Sequence, residues 1–302
     1  MPELPDITVY VEALRSHIIG HPLERIRIGS PFLVRSVDPP VNSLHGMQVL
    51  GVDALGKRIV IACEDDFFVV IHLMIAGRLR WRARHAALPK RTGLAAFDFD
   101  HGTVVFTEAS RKRRASLHVV RGGESLTQFD RGGIDVFACD VATFRRRLTE
   151  ENHTLKRSLT DPRLFSGIGN AYSDEILHAA RMSPLTWTSR LGDDEIERLF
   201  EATRTTLRSW TARLRAEVGV GFPDKVTAFR SEMAVHGRYG EPCPECASPV
   251  QRIKYAENEV NYCATCQTGG RVLADRGLSR LLKEDWPRSI DEWEARIGGP
   301  GH

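Results

Sequence analysis

Four cysteines constrain this chain more than any other feature: "CPEC" at 243–246, sixteen residues, then "CATC" at 263–266. A C-x2-C-x16-C-x2-C spacing falls in the zinc-ribbon range, where two tight turns each offer a pair of thiolates to one tetrahedral ion. Cys243, Cys246, Cys263 and Cys266 are therefore expected to hold one structural Zn²⁺. With sulfur at all four positions, no coordination site stays open for catalysis. Cys63 lies in an apolar strand-like run and Cys139 in "DVFACD", so both are expected to be small core residues. Cysteines distributed in this way do not form a disulfide scaffold.

The periodicity changes once along the 302 residues. Residues 22–108 carry the short runs "MQVLGV", "KRIVIAC", "FFVVIHL", "FDFD" and "TVVFT", separated by Glu64-Asp65-Asp66 and by His101-Gly102, the pattern of antiparallel strands. From about residue 141, "VATFRRRL", "TLKRSL", "AYSDEILHAARM" and "DDEIERLFEATRTTLRSWTARL" repeat apolar residues at three and four, the pattern of helices. At the start, Asp6 is expected to N-cap a helix carrying Ile7, Val11, Leu14 and Ile18. An α+β multidomain chain follows: a β-rich domain with flanking helices over 1–130, a helical domain over 140–230, a zinc finger over 231–268 and a helical extension over 269–302 with a Ser289/Glu292 capping box. The longest apolar run, "FFVVIHLMIA" (67–76), is too short for a bilayer and no basic-then-apolar leader pattern precedes it, so a cytoplasmic protein is expected.

Charge says less. The formal net charge of +3 argues only weakly for an anionic partner. "RKRR" (111–114) and "FRRR" (144–147) suit either a solvated face or a phosphate-binding patch. "SGIGNAYSDEIL" (166–177) sets two glycines and Asn170 before a helical run, which fits an anion seat at a helix N-terminus and equally a plain connection between helices.

Taken together, "MPELPD", "GIGNAYSDEIL" and "HGRYGEPCPEC…CATCQ" resemble, in order and over roughly residues 1–267, the formamidopyrimidine-DNA glycosylase and endonuclease VIII family of base-excision repair enzymes. The resemblance implies an N-terminal β-sandwich, a helix-two-turns-helix element and a zinc finger that grip damaged duplex DNA. It further implies a monomeric bacterial enzyme that acts as both DNA glycosylase and abasic-site lyase. Removal of Met1 would leave Pro2 with a chain-terminal secondary amine, far less basic than a lysine. In the family this proline attacks the sugar C1′ to form a Schiff base, and the next residue, here Glu3, handles the proton. Lys57 in "ALGKRIVI" matches a lysine that contacts phosphate and assists proton transfer. Arg111 in "EASRKRRAS" matches the arginine that fills the gap left by the flipped nucleotide, and Met74 and Ile75 of "HLMIAG" match the intercalating loop. Asn170 and Lys156 are assigned to DNA contacts on the same grounds.

The chain departs from the family in several places, among them Ile75, which stands where a methionine is common. Lys112 and Arg113 stand where an aromatic wedge is usual, and Asn258, between Glu257 and Glu259, stands where many members carry a fingertip arginine for DNA phosphates. "GVGFPDKVTAF" (219–229) lacks the glycine-rich composition associated with 8-oxoguanine, which points toward oxidised pyrimidines or an unusual lesion. The rival expectation is a zinc-finger protein that binds damaged or abasic DNA without cutting it. Such a protein would need neither Pro2 nor Glu3.

Overall fold

The computed structural model describes residues 1–110, 112–224, 226, 230–255, 258–274 and 286–296, and the backbone alone of 255, 258, 293, 294 and 296. The chain divides into two compact units, residues 1–133 with 208–228, and residues 134–207 with 229–302.

The first unit is a β-sandwich with a helix on it. One sheet has the order β1 (Arg25–Ile28), β6 (Gly93–Phe99), β7 (Gly102–Glu108), β5 (Gly77–Arg82); the other runs β2 (Val49–Leu55), β3 (Arg58–Cys63), β4 (Phe67–His72), β8 (Ser116–Arg121). All neighbouring strands are antiparallel. Side chains alternate between faces with period two. Ile59 and Ile61, Val69 and Ile71, Leu117 and Val119 therefore share one core with Leu79, Phe97, Phe99, Val104 and Phe106 of the opposite sheet. Val60, Val70 and Val120 face the other way and are covered by Phe129 from the 3-10 turn Gly123–Phe129. Burial on both faces is why these strands read as continuous apolar runs.

Helix α1 (Leu4–Ile18) adds Ile7, Tyr10, Leu14 and Ile18 to the same core, at helical spacing. Its cap lies three residues before the expected Asp6. Glu3 is the N-cap: its N–H donates to Asp6 Oδ2 at 3.0 Å while its own carboxylate accepts the backbone N–H at the third helical position. Asp6 thus closes a reciprocal capping box from inside the first turn, and Pro5, which lacks an N–H, costs nothing there.

The second unit contains α2 (Val141–Leu148), α3 (Leu155–Thr160), α4 (Asn170–Ala179) and residues 193–207 of the long helix α5 (Asp193–Val218). Asp140 caps α2 by accepting the Thr143 N–H at 2.8 Å. Phe144 stacks against Phe165 and Phe200, with ring centroids 4.8 and 5.3 Å apart. A hairpin follows, β9 (Val250–Tyr255) against β10 (Asn258–Cys263), then α6 (Ala264–Thr268), which Gly269 ends in the left-handed conformation, φ 62°. A final helix spans Ile290–Arg296; Ser289 Oγ accepts the Glu292 N–H at 3.2 Å, but the Glu292 carboxylate reaches past Ser289 to the Arg288 N–H, 2.9 Å away. Most of "GLSRLLKEDW" lies outside the described residues. Among the described residues, no helix is long and apolar enough to cross a membrane.

Candidate active site and metal centre

In the first unit, Pro2 and Glu3 are buried at the N-terminus of α1. The Met1 amino group lies there too. Burial lowers its pKa from the usual 8.0; Glu3 opposes that, Arg78 adds to it, Asp6 opposes and Lys57 adds. Glu3 and Lys57 are thus both near enough to act on the chain terminus that precedes Pro2. Lys57 reaches the site from the two-residue turn between β2 and β3, where Gly56 takes the positive φ of 60°. A weakly basic amine beside a carboxylate and an ammonium is equipped for nucleophilic attack with local proton transfer.

"HLMIAG" forms the turn from β4 into β5. Ile75 is 59 % exposed at its tip, while Met74 is half-buried with φ 52°. Gly77 closes the turn because a Cβ there would lie 2.2 Å from the Leu73 carbonyl oxygen. Arg78, which no motif singled out, fixes the turn by donating to the carbonyls of Gly77 at 2.6 Å, Ile75 at 3.2 Å and Val226. Its partners are backbone oxygens, one of them far away in sequence, and so leave no residue pattern. Arg111 lies outside the described residues, as do 225 and 227–229 of the segment read for substrate preference.

In the second unit, Asn170 is the first residue of α4, after Gly167 (φ 80°) and Gly169. Its amide donates to the Glu259 carbonyl of β10 at 2.9 Å. Lys156 turns its ammonium inward, onto the Asn170 carbonyl at 2.6 Å and Asp174 Oδ1 at 2.5 Å. The other Asp174 oxygen lies 2.7 Å from His236 Nδ1, and Asp174 is fully buried. Next to it, Glu175 accepts the backbone N–H groups of Ala234, Val235 and His236 at 2.7, 3.0 and 3.0 Å. Burial pushes the Glu175 pKa up, against those three bonds, which pull it down. "SDEIL" and "HGRYG" are thus two halves of one polar lock, and Lys156 positions the Asn170 turn. Removing one partner of a buried pair leaves an uncompensated charge. Lys156→Met should therefore lower unfolding stability by about 3–5 kcal/mol in urea titrations; a change under about 1 kcal/mol would show that His236 alone compensates Asp174.

The four cysteines converge. Cys246 Sγ lies 3.4 Å from Cys263 Sγ and Cys243 Sγ 4.0 Å from Cys266 Sγ, and all four sulfurs lie within 4.8 Å of one another. Sulfurs bound at about 2.3 Å around a tetrahedral ion stand about 3.8 Å apart, so the set fits one metal. The site has outer support that the cysteine spacing did not reveal: His178 Nε2 of α4 is 3.2 Å from Cys243 Sγ, and Gln267 accepts the Cys263 N–H at 2.8 Å while donating to Met182 O at 2.8 Å. At the hairpin tip Asn258 pairs in register with Tyr255. Glu259, next to Asn258, has Arg252 Nη1 3.9 Å from its carboxylate.

The comparisons agree with this architecture. A model of the formamidopyrimidine-DNA glycosylase N-terminal domain matches residues 1–115, and one of the formamidopyrimidine-DNA glycosylase H2TH domain matches residues 135–215. The chain is 31% identical over 278 residues to the formamidopyrimidine-DNA glycosylase of Thermus thermophilus, covering 89% of this chain and 100% of that one. It is 41% identical over 150 residues to an uncharacterized formamidopyrimidine-DNA glycosylase-like protein of Mycobacterium tuberculosis, covering 50% of this chain and 91% of that one. In fold it is similar to the Lactococcus lactis Fpg in complex with abasic-site DNA, with a TM-score of 0.77 at 23% identity over 88% of this chain and 99% of that one.

Proposed function

The chain belongs to the formamidopyrimidine-DNA glycosylase family, and from that premise we propose how its residues excise a damaged base from duplex DNA and cut the strand at the abasic site. The observation that carries the reading is the burial of Pro2 and Glu3 side by side at the N-terminus of α1. With Met1 removed, the Pro2 nitrogen attacks C1′ of the damaged nucleotide and the C1′–N bond to the base breaks, the base leaving with a proton. Opening of the sugar ring gives an iminium between Pro2 and C1′. Glu3 transfers protons at the ring oxygen and leaving base, and Lys57 holds the adjacent phosphate. The iminium withdraws electrons from C2′, so loss of a C2′ proton expels the 3′ phosphate, and water then releases Pro2.

The remaining assignments concern binding. Ile75 and Met74 wedge into the stack where the nucleotide leaves, and Arg111 fills the gap. Asn170 faces phosphate at the start of α4, an end where the helix dipole favours anions. Zn²⁺ suits the four-sulfur set and has a structural role only. The test is borohydride reduction of the protein mixed with duplexes that each carry one oxidised purine, oxidised pyrimidine or abasic site. Covalent protein–DNA adducts on a subset of them identify the substrate class. DNA binding with no adduct on any duplex would leave the non-catalytic zinc-finger alternative.

Asn258 should make the final elimination weak, because an amide offers phosphate only neutral hydrogen bonds, roughly half as strong as those of an arginine. Asn258→Arg should steepen the salt dependence of binding by about one phosphate contact and shift cleaved ends from β- toward δ-elimination. Identical salt slopes and end distributions in both proteins would assign the phosphate contact to another cation.

A further inference from the structure

The turn joining β6 to β7 consists of Asp100 and His101, and the residue after the Gly20 stop of α1, His21, lies beside it. His21 Nδ1 and His101 Nδ1 stand 3.0 and 2.6 Å from the same atom, Asp100 Oδ1. The two imidazoles stack with centroids 3.9 Å apart, and one ligand atom from each residue lies within 4.8 Å of the other two. Three ligand atoms bound at about 2.1 Å to one ion stand roughly 3 Å apart, so the spacing needs little adjustment.

The tautomer points the same way. His101 Nε2 is 2.8 Å from the carbonyl oxygen of His17, and a carbonyl can only accept, so Nε2 carries the proton. In the neutral ring, Nδ1 then directs a lone pair at a carboxylate oxygen that also carries lone pairs. Such a contact is stable only with a cation or an extra proton at the shared point. An N–H donated to a backbone carbonyl from the far side of the ring is also how proteins orient metal-bound histidines. The turn is held in place by Trp81, 5.1 Å from the His101 ring; Gly102 is required there because a Cβ would lie 2.0 Å from Trp81 Cζ2.

We propose that His21, Asp100 and His101 form a second metal site, separate from the four cysteines, that binds one divalent transition ion through two imidazoles and a carboxylate. The side chains are 39 to 51 % exposed, so water completes the coordination. Nitrogen-rich sites favour Ni²⁺, Cu²⁺ and Zn²⁺ and disfavour Mg²⁺ and Ca²⁺, which prefer oxygen. A bound ion would fasten the C-terminal end of α1, the helix whose other end carries Pro2 and Glu3, to the β6–β7 turn.

The experiment titrates Ni²⁺ into the full-length, zinc-loaded protein carrying no histidine tag, followed by calorimetry and tryptophan fluorescence. Wild type should bind about one Ni²⁺ with its zinc retained, lose part of its fluorescence through Trp81, and show a rising melting temperature with free Ni²⁺. Mg²⁺ should do none of these. The double variant His21→Ala/His101→Ala should lose that Ni²⁺ and the quench, and Asp100→Asn, which keeps both rings, should weaken binding. Trp81→Phe should lose the quench and keep the stoichiometry. Equal Ni²⁺ stoichiometry in wild type and both ligand variants, or none bound by wild type, overturns the site.

Discussion

A chain extended by one residue ahead of Pro2 should lose base excision and strand cleavage by at least about a thousandfold, because the nucleophile becomes an amide. An amide nitrogen has no basic lone pair, and no compensating group could supply an iminium at C1′. Mass spectrometry of the normal protein should show Met1 absent, and borohydride should trap it on abasic DNA. The extended chain should give no adduct while still binding the same duplex, since the finger and the Asn170 turn are untouched. The pH profile should carry the same signature. Only the unprotonated amine attacks. Trapping should therefore rise with pH as the Pro2 amine loses its proton. Undiminished trapping by the extended chain would move the nucleophile elsewhere, with Lys57 the first alternative.

How far the sequence could be read depended on whether each determinant was local. The four cysteines were legible because metal spacing is a short-range code, and α1 because its apolar residues repeat on one helix face. Its cap lies three residues before Asp6: an acidic cap at Glu3 paired with an acid at the third helical position is the reverse of the usual order, so the local pattern points to Asp6. The roles of Asp174, Glu175 and His236 were not legible, although their motifs were. The Lys156–Asp174 pair spans 18 positions and the Asp174–His236 contact 62, and no periodicity encodes partners so far apart. Arg78 escaped notice for the related reason that all its acceptors are backbone carbonyls.

Replacing Cys243 and Cys266 together by serine should abolish zinc binding, with metal analysis falling from about one ion per chain to none. The consequence should reach well beyond the finger. Structural zinc contributes about 10–16 kcal/mol to the folding of small finger peptides, more than a two-stranded hairpin such as β9–β10 obtains from its own pairing. The hairpin has little core of its own: Ile253, Val260 and Tyr262 cluster with Ala264 and Leu273, and the cysteines with Val235 and Val250. Without the ion nothing bonds the four sulfurs to one another, and their separation releases Cys263 from Gln267 and Cys243 from His178. Loss of β10 order would also free the Asn170 amide from the Glu259 carbonyl and Gly237 from Asn261. The helix start proposed to face phosphate should thus lose its support along with the finger. Hydrogen exchange should show β9, β10 and residues 234–237 losing protection, while amides of the β3 and β4 strands in the first unit keep theirs. Affinity for abasic DNA should fall in parallel, and serine at Cys63 should leave zinc content unchanged. A protein stripped of zinc that kept both hairpin protection and full DNA affinity would show that apolar packing around Tyr262 and Val250 suffices to hold the finger.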